Sequence, residues 1–238
     1  LNKIISTVSF AVSKDDLKPA LTGVLFKIDS DLITAVSTDG HRLAQYICKN
    51  ETKDNFTGEV IIPKKFLNTI GSYTTREEEI SLLINDNVFT AIMGKDTVYT
   101  RIIDEKFPDY ESVIPKDNNK EIRVDRKALL AAVKRVSIFS NKTTQQVAMK
   151  TEKAKLLIAT EDPEKASKAQ EELEVSYEGD PIEIGFNASY LKDVLSHINS
   201  QKIILKLNTP ISASLFYPEK SSTDETVSML LMPIRLNE

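Results

Sequence analysis

The chain has 238 residues, of which 41% are apolar and 28% are charged, and its formal net charge is −4. These values predict a globular protein of one large or two ordinary domains. No uninterrupted apolar stretch is long enough to span a membrane. The weakly acidic balance gives no sign of a nucleic-acid partner, so a DNA-binding surface would have to be a local concentration of basic residues.

Scarce residue types exclude several kinds of enzyme and metal site. Cys48 is the only cysteine, and His41 and His197 are the only histidines. The chain therefore has no internal disulfide, no thiolate-rich zinc site and no HExxH motif, which fits a reducing cytoplasm. Its glycines are spaced too widely for GxGxxG or GxSxG, and no Gly-Lys-Ser/Thr occurs. The sequence predicts neither a cofactor nor a metal ion.

The first half of the chain predicts a helix, a hairpin, a short helix and further strands, in that order. Residues 1–13 have a helical pattern. Residues 24–39 contain two apolar segments around the polar turn Asp29-Ser30-Asp31, which is typical of a hairpin. A short helix is predicted after residue 62, and a strand over 80–85.

The second half repeats this order at a nearly constant spacing. Residues 147–162 form a second predicted hairpin, 123 positions after the first, and residues 203–208 follow 80–85 by the same distance. Residues 186–191 follow 62–67 by 124 positions, and residues 1–13 correspond roughly to 125–137. The second copy has a predicted helix over 123–133, with Asp125 as its N-cap. Since unrelated segments would not keep one order and spacing, we expect two copies of one domain, 1–117 and 118–238.

The expected fold class is α+β, with two repeated domains that each contain antiparallel sheets and two helices. The polar stretch 116–121 is the expected junction. The first copy begins inside the segment that corresponds to the second-copy helix, at Leu1 instead of Met. We therefore expect a fragment or a processed product.

Basic residues recur on the predicted helices. Lys127 and Lys134 are seven positions apart on one helical face, next to Arg135, and Lys64 and Lys65 begin the short helix of the first copy. Two interpretations stay open at this point: an ordinary solvated face, or helices that present cations to phosphate groups.

The most distinctive short motif is Thr38-Asp-Gly-His-Arg-Leu43, in which Asp39-Gly40 predicts a tight turn after a strand. His41 could act as a base oriented by Asp39 or Asp109, but no recognisable nucleophile accompanies it. A capped turn and a binding surface are the alternatives.

Four motifs in a fixed order carry a resemblance that extends over the whole chain: TDGHRL (38–43), FPDY (107–110), FNASYL (186–191) and MPIRL (232–236). The sequence resembles the second and third domains of the bacterial replicative sliding clamps, the beta subunits of DNA polymerase III. The first domain of that family is missing. The chain departs from the family pattern at Ser112 and at Lys18-Pro19-Ala20.

The resemblance implies a non-catalytic, cytoplasmic processivity factor without catalytic residues, metal ions or cofactors. In full-length form it would be a homodimeric ring that encircles duplex DNA without sequence preference. A groove would bind short motifs of the DNA polymerase III alpha subunit, clamp-loader subunits and repair polymerases. No membrane is involved, and this fragment, lacking the first domain, is expected to be monomeric. An enzyme that uses Asp39 and His41, or a two-domain interaction module without a DNA role, are the alternative classes.

The resemblance also assigns site residues by position. Ile138 and Phe139 would lie at the subunit seam. The DNA-facing set is Lys3, Lys64, Lys65, Lys127, Lys134, Arg135 and Lys192. The peptide-binding groove would be lined by Leu21, Thr38, Gly40, His41, Arg42, Leu43, Pro108, Val113, Asn187, Tyr190, Ile211, Leu230, Met232, Pro233, Ile234, Arg235 and Leu236.

Overall fold

The computed structural model describes residues 1–52, 56–73, 79–85, 87–220 and 222–236. The chain divides into two compact units. Unit 1 comprises Leu1–Tyr110 and Ser222–Val227, and unit 2 comprises Glu111–Ser221 and Ser228–Glu238. This division lies N-terminal to the boundary predicted at 117/118, which stays a prediction.

Unit 1 contains two helices and seven strands among its described residues. A 3-10 turn, Pro19–Thr22, precedes the first strand. In chain order the elements are α1 (Asn2–Val8), β1 (Gly23–Ile28), β2 (Leu32–Thr38), β3 (Arg42–Lys49), β4 (Gly58–Pro63), α2 (Lys64–Tyr73), β5 (Ile80–Asn85), β6 (Val88–Met93) and β7 (Asp96–Arg101).

Unit 2 has the same kinds of element and one additional strand at its start. The first three residues of its last strand are grouped with unit 1. In chain order the elements are β8 (Lys120–Asp125), α3 (Arg126–Val136), β9 (Gln146–Glu152), β10 (Lys155–Asp162), β11 (Ser167–Glu174), β12 (Ile182–Asn187), α4 (Ala188–His197), β13 (Lys202–Leu207), β14 (Ser214–Pro218) and β15 (Glu225–Leu231).

The two units share one strand order. Unit 1 has the orders β4-β1-β2-β3 and β5-β6-β7, and unit 2 has β12-β9-β10-β11 and β15-β14-β13, with β8 outside β13. The strands pair antiparallel. The predicted α+β class, with antiparallel sheets and two helices in each copy, is confirmed.

The strand register also repeats. Leu25 pairs with Val36 in the first hairpin, and Ala148 pairs with Ala159 in the second, so both partners are shifted by 123 positions. Because side chains alternate across a strand, the shared register points the same positions into each core. The repeat in the sequence is therefore a repeat of hydrogen-bonded geometry.

The predicted start of the second-copy helix, Arg123, is wrong. Residues 120–125 form β8, and α3 begins at Arg126. Ile122 and Val124 are buried while Arg123 is exposed, which is the two-residue period of a strand. Asp125 is the N-cap, as predicted, because its Oδ1 accepts a hydrogen bond from the Ala128 amide at 2.8 Å.

Within each unit the two helices pack together, α1 with α2 and α3 with α4. Leu129, Val133 and Val136 form the buried stripe of α3, and Phe66, Leu67 and Ile70 that of α2. Because apolar residues fill these inner faces, the lysines of the helices are left on the outer surface. Over the described residues, no helix is long and apolar enough to cross a membrane.

Candidate functional site

The turn between β2 and β3 is fixed by side chains of the TDGHRL motif. Asp39 Oδ1 accepts hydrogen bonds from the amides of His41 (2.9 Å) and Arg42 (3.0 Å). Thr38 Oγ1 donates to the Arg42 carbonyl at 2.7 Å. Gly40 has φ of 89°, a left-handed conformation that glycine adopts at little cost. The motif therefore builds a rigid turn that presents the exposed His41.

Arg42 has an internal role in this turn. Its side chain is buried, and Nε donates to Asp39 Oδ2 at 3.0 Å. A terminal guanidinium nitrogen donates to the Phe10 carbonyl at 3.3 Å, and the guanidinium lies 5.2 Å from the centre of the Phe10 ring. These contacts make Arg42 a support of the turn, and its place in the lining of a peptide groove stays a prediction. Asp39 likewise uses both carboxylate oxygens here, which removes support from the catalytic interpretation of His41.

The other groove candidates of unit 1 differ in exposure. Leu21 and Leu43 are buried, with 8% and 2% of their surface exposed. Pro108 is exposed between Phe107 and Tyr110, whose buried rings meet edge to face at 6.3 Å. Gly40, His41 and Pro108 are therefore the exposed members of the unit 1 set, and the buried leucines can only shape the surface from below.

The end of the chain is held against β12 in unit 2. The Ile234 amide donates to the Gly185 carbonyl at 2.9 Å. A Cβ atom at Gly185 would lie 2.6 Å from the Ile234 carbonyl oxygen and 2.7 Å from Leu236 Cδ2. Glycine is therefore required for this close approach. Pro233 is half-buried, whereas Met232 and Arg235 in the same segment are exposed.

The FNASYL motif combines the end of β12 with the start of α4. Asn187 Oδ1 accepts hydrogen bonds from the amides of Ser189 (2.9 Å) and Tyr190 (3.2 Å), and Nδ2 donates to the Thr144 carbonyl at 3.2 Å. Asn187 is thus a helix cap. Tyr190 is half-buried beside it.

The remaining groove candidates of unit 2 are of two kinds. Val113 and Ile211 are large apolar residues with 55% and 65% of their surface exposed. Leu230, on β15, is a core residue with 3% exposed. The accessible candidates of unit 2 are therefore Val113, Ile211, Met232 and Arg235.

The basic residues assigned to DNA fall into three groups. Lys65, Lys127 and Lys134 are exposed. Lys3 pairs with Glu225, and Arg135 pairs with Glu171 through two nitrogens. Lys64 begins α2, whereas Lys192 lies one turn inside α4 with Nζ 3.4 Å from Ser137 Oγ. The last two are therefore not at equivalent positions of the repeat.

The paired carboxylates reduce what two of these cations can offer to a phosphate. Arg135 lowers the pKa of the Glu171 carboxyl, and Glu171 raises the pKa of Arg135, so both stay charged. To contact a phosphate, Lys3 or Arg135 would first have to break its ion pair with Glu225 or Glu171. The three exposed lysines are the stronger DNA candidates.

Three interactions of unit 1 were not found from the sequence. Glu225 contacts both the Lys3 ammonium and the Tyr46 hydroxyl, and these partners hold the pKa of the Glu225 carboxyl below its ordinary value. Burial, reinforced by the bond to Glu225, raises the pKa of Tyr46. Lys49 pairs with the neighbouring Asp224. The residues involved are far apart in sequence, so no local pattern marks them.

Ile138 and Phe139 form a 3-10 turn with Ser137 after α3. They expose 75% and 45% of their surface. Adjacent exposed apolar residues of this kind fit an interface, but their place at a subunit seam stays a prediction. Among the described residues, no group of three or more His, Cys, Asp or Glu side chains could hold a metal ion.

The fold defines a class of protein built from repeated α+β units, each with two packed helices that carry cations and antiparallel sheets that complete the core. Family models give the particular member of that class. The central domain of the DNA polymerase III beta subunit matches residues 1–109, and the C-terminal domain matches residues 111–235. The chain belongs to the DNA polymerase III beta subunit family, which confirms the resemblance recognised in the sequence.

Named relatives agree with this assignment. The chain is 35% identical over 237 residues to the beta sliding clamp of Pseudomonas putida, covering 99% of this chain and 64% of that protein. It is similar to a crystal structure of the Pseudomonas aeruginosa DNA polymerase sliding clamp, with a TM-score of 0.91, 31% identity and coverage of 99% of this chain and 64% of that one.

A sliding clamp from Bartonella birtlesii bound to griselimycin gives a TM-score of 0.90 at 28% identity, with 99% of this chain and 63% of that chain covered. The chain thus spans a little under two thirds of the length of the relatives it matches.

Proposed function

We propose that the full-length form of this protein is a sliding clamp, a non-catalytic accessory subunit that encircles duplex DNA in the cytoplasm and makes DNA polymerase III processive. The observation that carries the proposal is the ordered match of both units to the central and C-terminal domains of the beta subunit. On this proposal, residues 1–117 and 118–238 are the middle and last domains of a three-domain chain.

Encirclement can be tested on DNA topology. Full-length protein loaded by a clamp loader onto nicked circular plasmid is expected to remain bound during gel filtration. Linearising the plasmid should release it, because a ring slides off a free end. Retention on linear DNA, or release from the circle at the same rate, would contradict encirclement.

DNA contact is proposed to occur through phosphates alone. Lys65, Lys127 and Lys134 are exposed, Lys64 begins α2, and Lys192 lies one turn inside α4. Contacts to phosphate do not depend on the base sequence, so they permit sliding. Binding weakens as salt rises, because each phosphate contact releases counterions from the DNA and added salt opposes that release. Lys127→Glu together with Lys134→Glu should lower duplex affinity and flatten its dependence on salt.

A peptide groove is the second proposed surface. Exposed apolar residues of unit 2, Val113, Ile211 and Met232, would provide the apolar contacts, and Arg235 of the same unit would orient the peptide. The proposed occupants are short motifs of the polymerase III alpha subunit, clamp-loader subunits and repair polymerases. A peptide with a glutamine, a leucine and a terminal aromatic residue should bind with micromolar affinity, about −8 kcal/mol.

The ring is proposed to be a homodimer with Ile138 and Phe139 at its seam. The 238-residue chain by itself should sediment as a monomer, because the proposed partner of that seam is the first domain of another chain. A closed dimer of this chain at micromolar concentration would contradict the seam assignment.

A further inference from the structure

A cavity in unit 2 is lined mostly by basic and polar side chains, and its lining includes Ile138 of the proposed seam and Lys192 of the proposed DNA-facing set. Its volume is about 360 Å³, within the size range of small-molecule sites. The lining residues are Ser137, Ile138, Ser140, Lys142, Gln145, Ala188 and Lys192.

The charge of this cavity favours an anion. Two lysines and no carboxylate are among the described residues that line it. Like charges at one cavity repel each other, and a doubly charged anion placed between them would convert that repulsion into attraction. Ser137 lies 3.4 Å from Lys192 Nζ, which keeps this ammonium at the cavity wall.

The segment that carries Lys142 is preorganised. Asn141 Oδ1 accepts hydrogen bonds from the amides of Thr143 (2.9 Å) and Thr144 (3.3 Å), and the Gln145 amide donates to the Asn141 carbonyl at 2.8 Å. The resulting turn has little freedom left to lose when a ligand binds.

Gln145 ties this turn to the helix that carries Lys192. It adopts a left-handed conformation, with φ of 49°, which is uncommon for a residue other than glycine. Its carbonyl accepts a hydrogen bond from the Ala188 amide at 2.7 Å, at the first residue of α4. This hydrogen bond ties the turn that carries Lys142 to the start of the helix that carries Lys192.

The repeat provides a natural comparison for Lys192. The fifth residue of α4 is Lys192, and the fifth residue of α2 is Asn68. Lys192 is thus particular to unit 2, and the repeated fold does not require a cation at this position.

We propose that this cavity binds a small phosphate-bearing anion through Lys142 and Lys192. A phosphate of duplex DNA offers the same oxygen atoms, but a cavity of about 360 Å³ with two lysines in its lining suits a compact, multiply charged anion such as pyrophosphate better.

The test is a titration of the ¹⁵N-labelled chain with pyrophosphate at constant ionic strength. Amides of residues 137–145 and 188–192 should shift saturably. Lys192→Asn, which installs the residue of unit 1, and Lys142→Ala should each weaken binding about tenfold, the loss expected for a charge-assisted hydrogen bond. Lys192→Arg should retain most of the affinity.

Lys150→Ala is the matched control, because Lys150 is an exposed lysine of the same unit outside the cavity. It should change affinity by less than about twofold, as removal of a distant exposed charge does. Shifts that rise linearly without saturation, or an equal loss in the control, would overturn the proposal. In a second arm with a short duplex, Lys192-dependent shifts caused by DNA but not by pyrophosphate would also overturn it, and would make these lysines DNA contacts.

Discussion

The two units have the same strand order, but the outer edges of the corresponding strands β13 and β5 differ. In unit 2, β8 pairs with the outer edge of β13, and Leu205 on β13 is completely buried. In unit 1, β5 is itself the edge strand of the described three-stranded sheet, and the corresponding Leu82 has 40% of its surface exposed. The same apolar strand pattern therefore contributes differently to the stability of the two units, because burial of its side chains depends on the neighbouring strand.

The helices that follow show a parallel difference. α3 begins after Asp125, which caps it, whereas Leu1 precedes α1 without a side-chain hydrogen bond to the helix. Edge strands with exposed backbone groups and apolar side chains are prone to pair with other chains. The following variants test whether these differences in burial and capping change the stability of the two units.

The largest expected effect is on the equivalent leucines of β13 and β5. Leu205→Ala should lower the free energy of unfolding of unit 2 by about 2–5 kcal/mol, because it leaves a cavity in a filled core. Leu82→Ala should cost well under half of that. Chemical denaturation followed by circular dichroism measures both, and equal losses would show that the edge of β5 is covered.

Gly185→Ala should have the next largest effect. The new methyl group would meet the Ile234 carbonyl and Leu236, and overpacking of this kind costs about 1–3 kcal/mol. The displaced terminal segment should also bind the proposed peptide more weakly in fluorescence polarisation.

Gly71→Ala is the control in unit 1, since its added methyl would contact Ile5 at an ordinary 3.6 Å. It should be neutral or stabilising, because alanine favours a helix. Unchanged stability and peptide binding in Gly185→Ala would show that the chain end is not held at β12.

Asp125→Ala should destabilise unit 2 by about 1 kcal/mol, the usual value of an N-cap. Asp125→Asn, which keeps an acceptor, should restore most of the loss. Thermal unfolding measures both variants. If Asn and Ala behave alike, the stabilisation by Asp125 comes from its charge near the helix end and the hydrogen bond adds little.

The smallest expected effect concerns pH. The pKa of Glu225 is lowered in the folded protein by Lys3 and Tyr46, so its contribution to stability is complete above the pKa of an unfolded glutamate. That contribution is lost as pH falls through the lower, folded pKa. Glu225→Gln should make the melting temperature of unit 1 less dependent on pH in this acidic range. An unchanged acid profile in the variant would assign the dependence to other carboxylates.

Local and repeated features were the part of the fold that the sequence could predict. The hairpins, their shared spacing and the Asp125 cap depend on residues close together in sequence, and periodicity reveals them. The start of α3 was misplaced because Arg123 and Val124 directly precede the helical pattern and were included in it, although Ile122, Arg123 and Val124 alternate in burial as a strand does. The repeat itself could not correct this, since unit 1 has no described counterpart of β8.

Long-range contacts of the candidate site were not predictable in the same way. Pairing of Arg135 with Glu171 and of Lys3 with Glu225 depends on strand and helix packing that no local pattern encodes. The sequence also gave no indication that Arg42 is buried within its own turn. The family resemblance identified the positions of the candidate site residues, and the structure shows which of these residues are accessible.

The most direct test of the account is primer extension by the cognate polymerase III core on a long single-stranded template, with full-length protein, clamp loader and a trap for free polymerase. If the full-length protein is a processivity clamp, products should lengthen greatly when it is present. Deletion of residues 232–236 should abolish this gain while the protein stays folded. Products of unchanged length with the intact protein, or an undiminished gain in the deletion variant, would contradict the account.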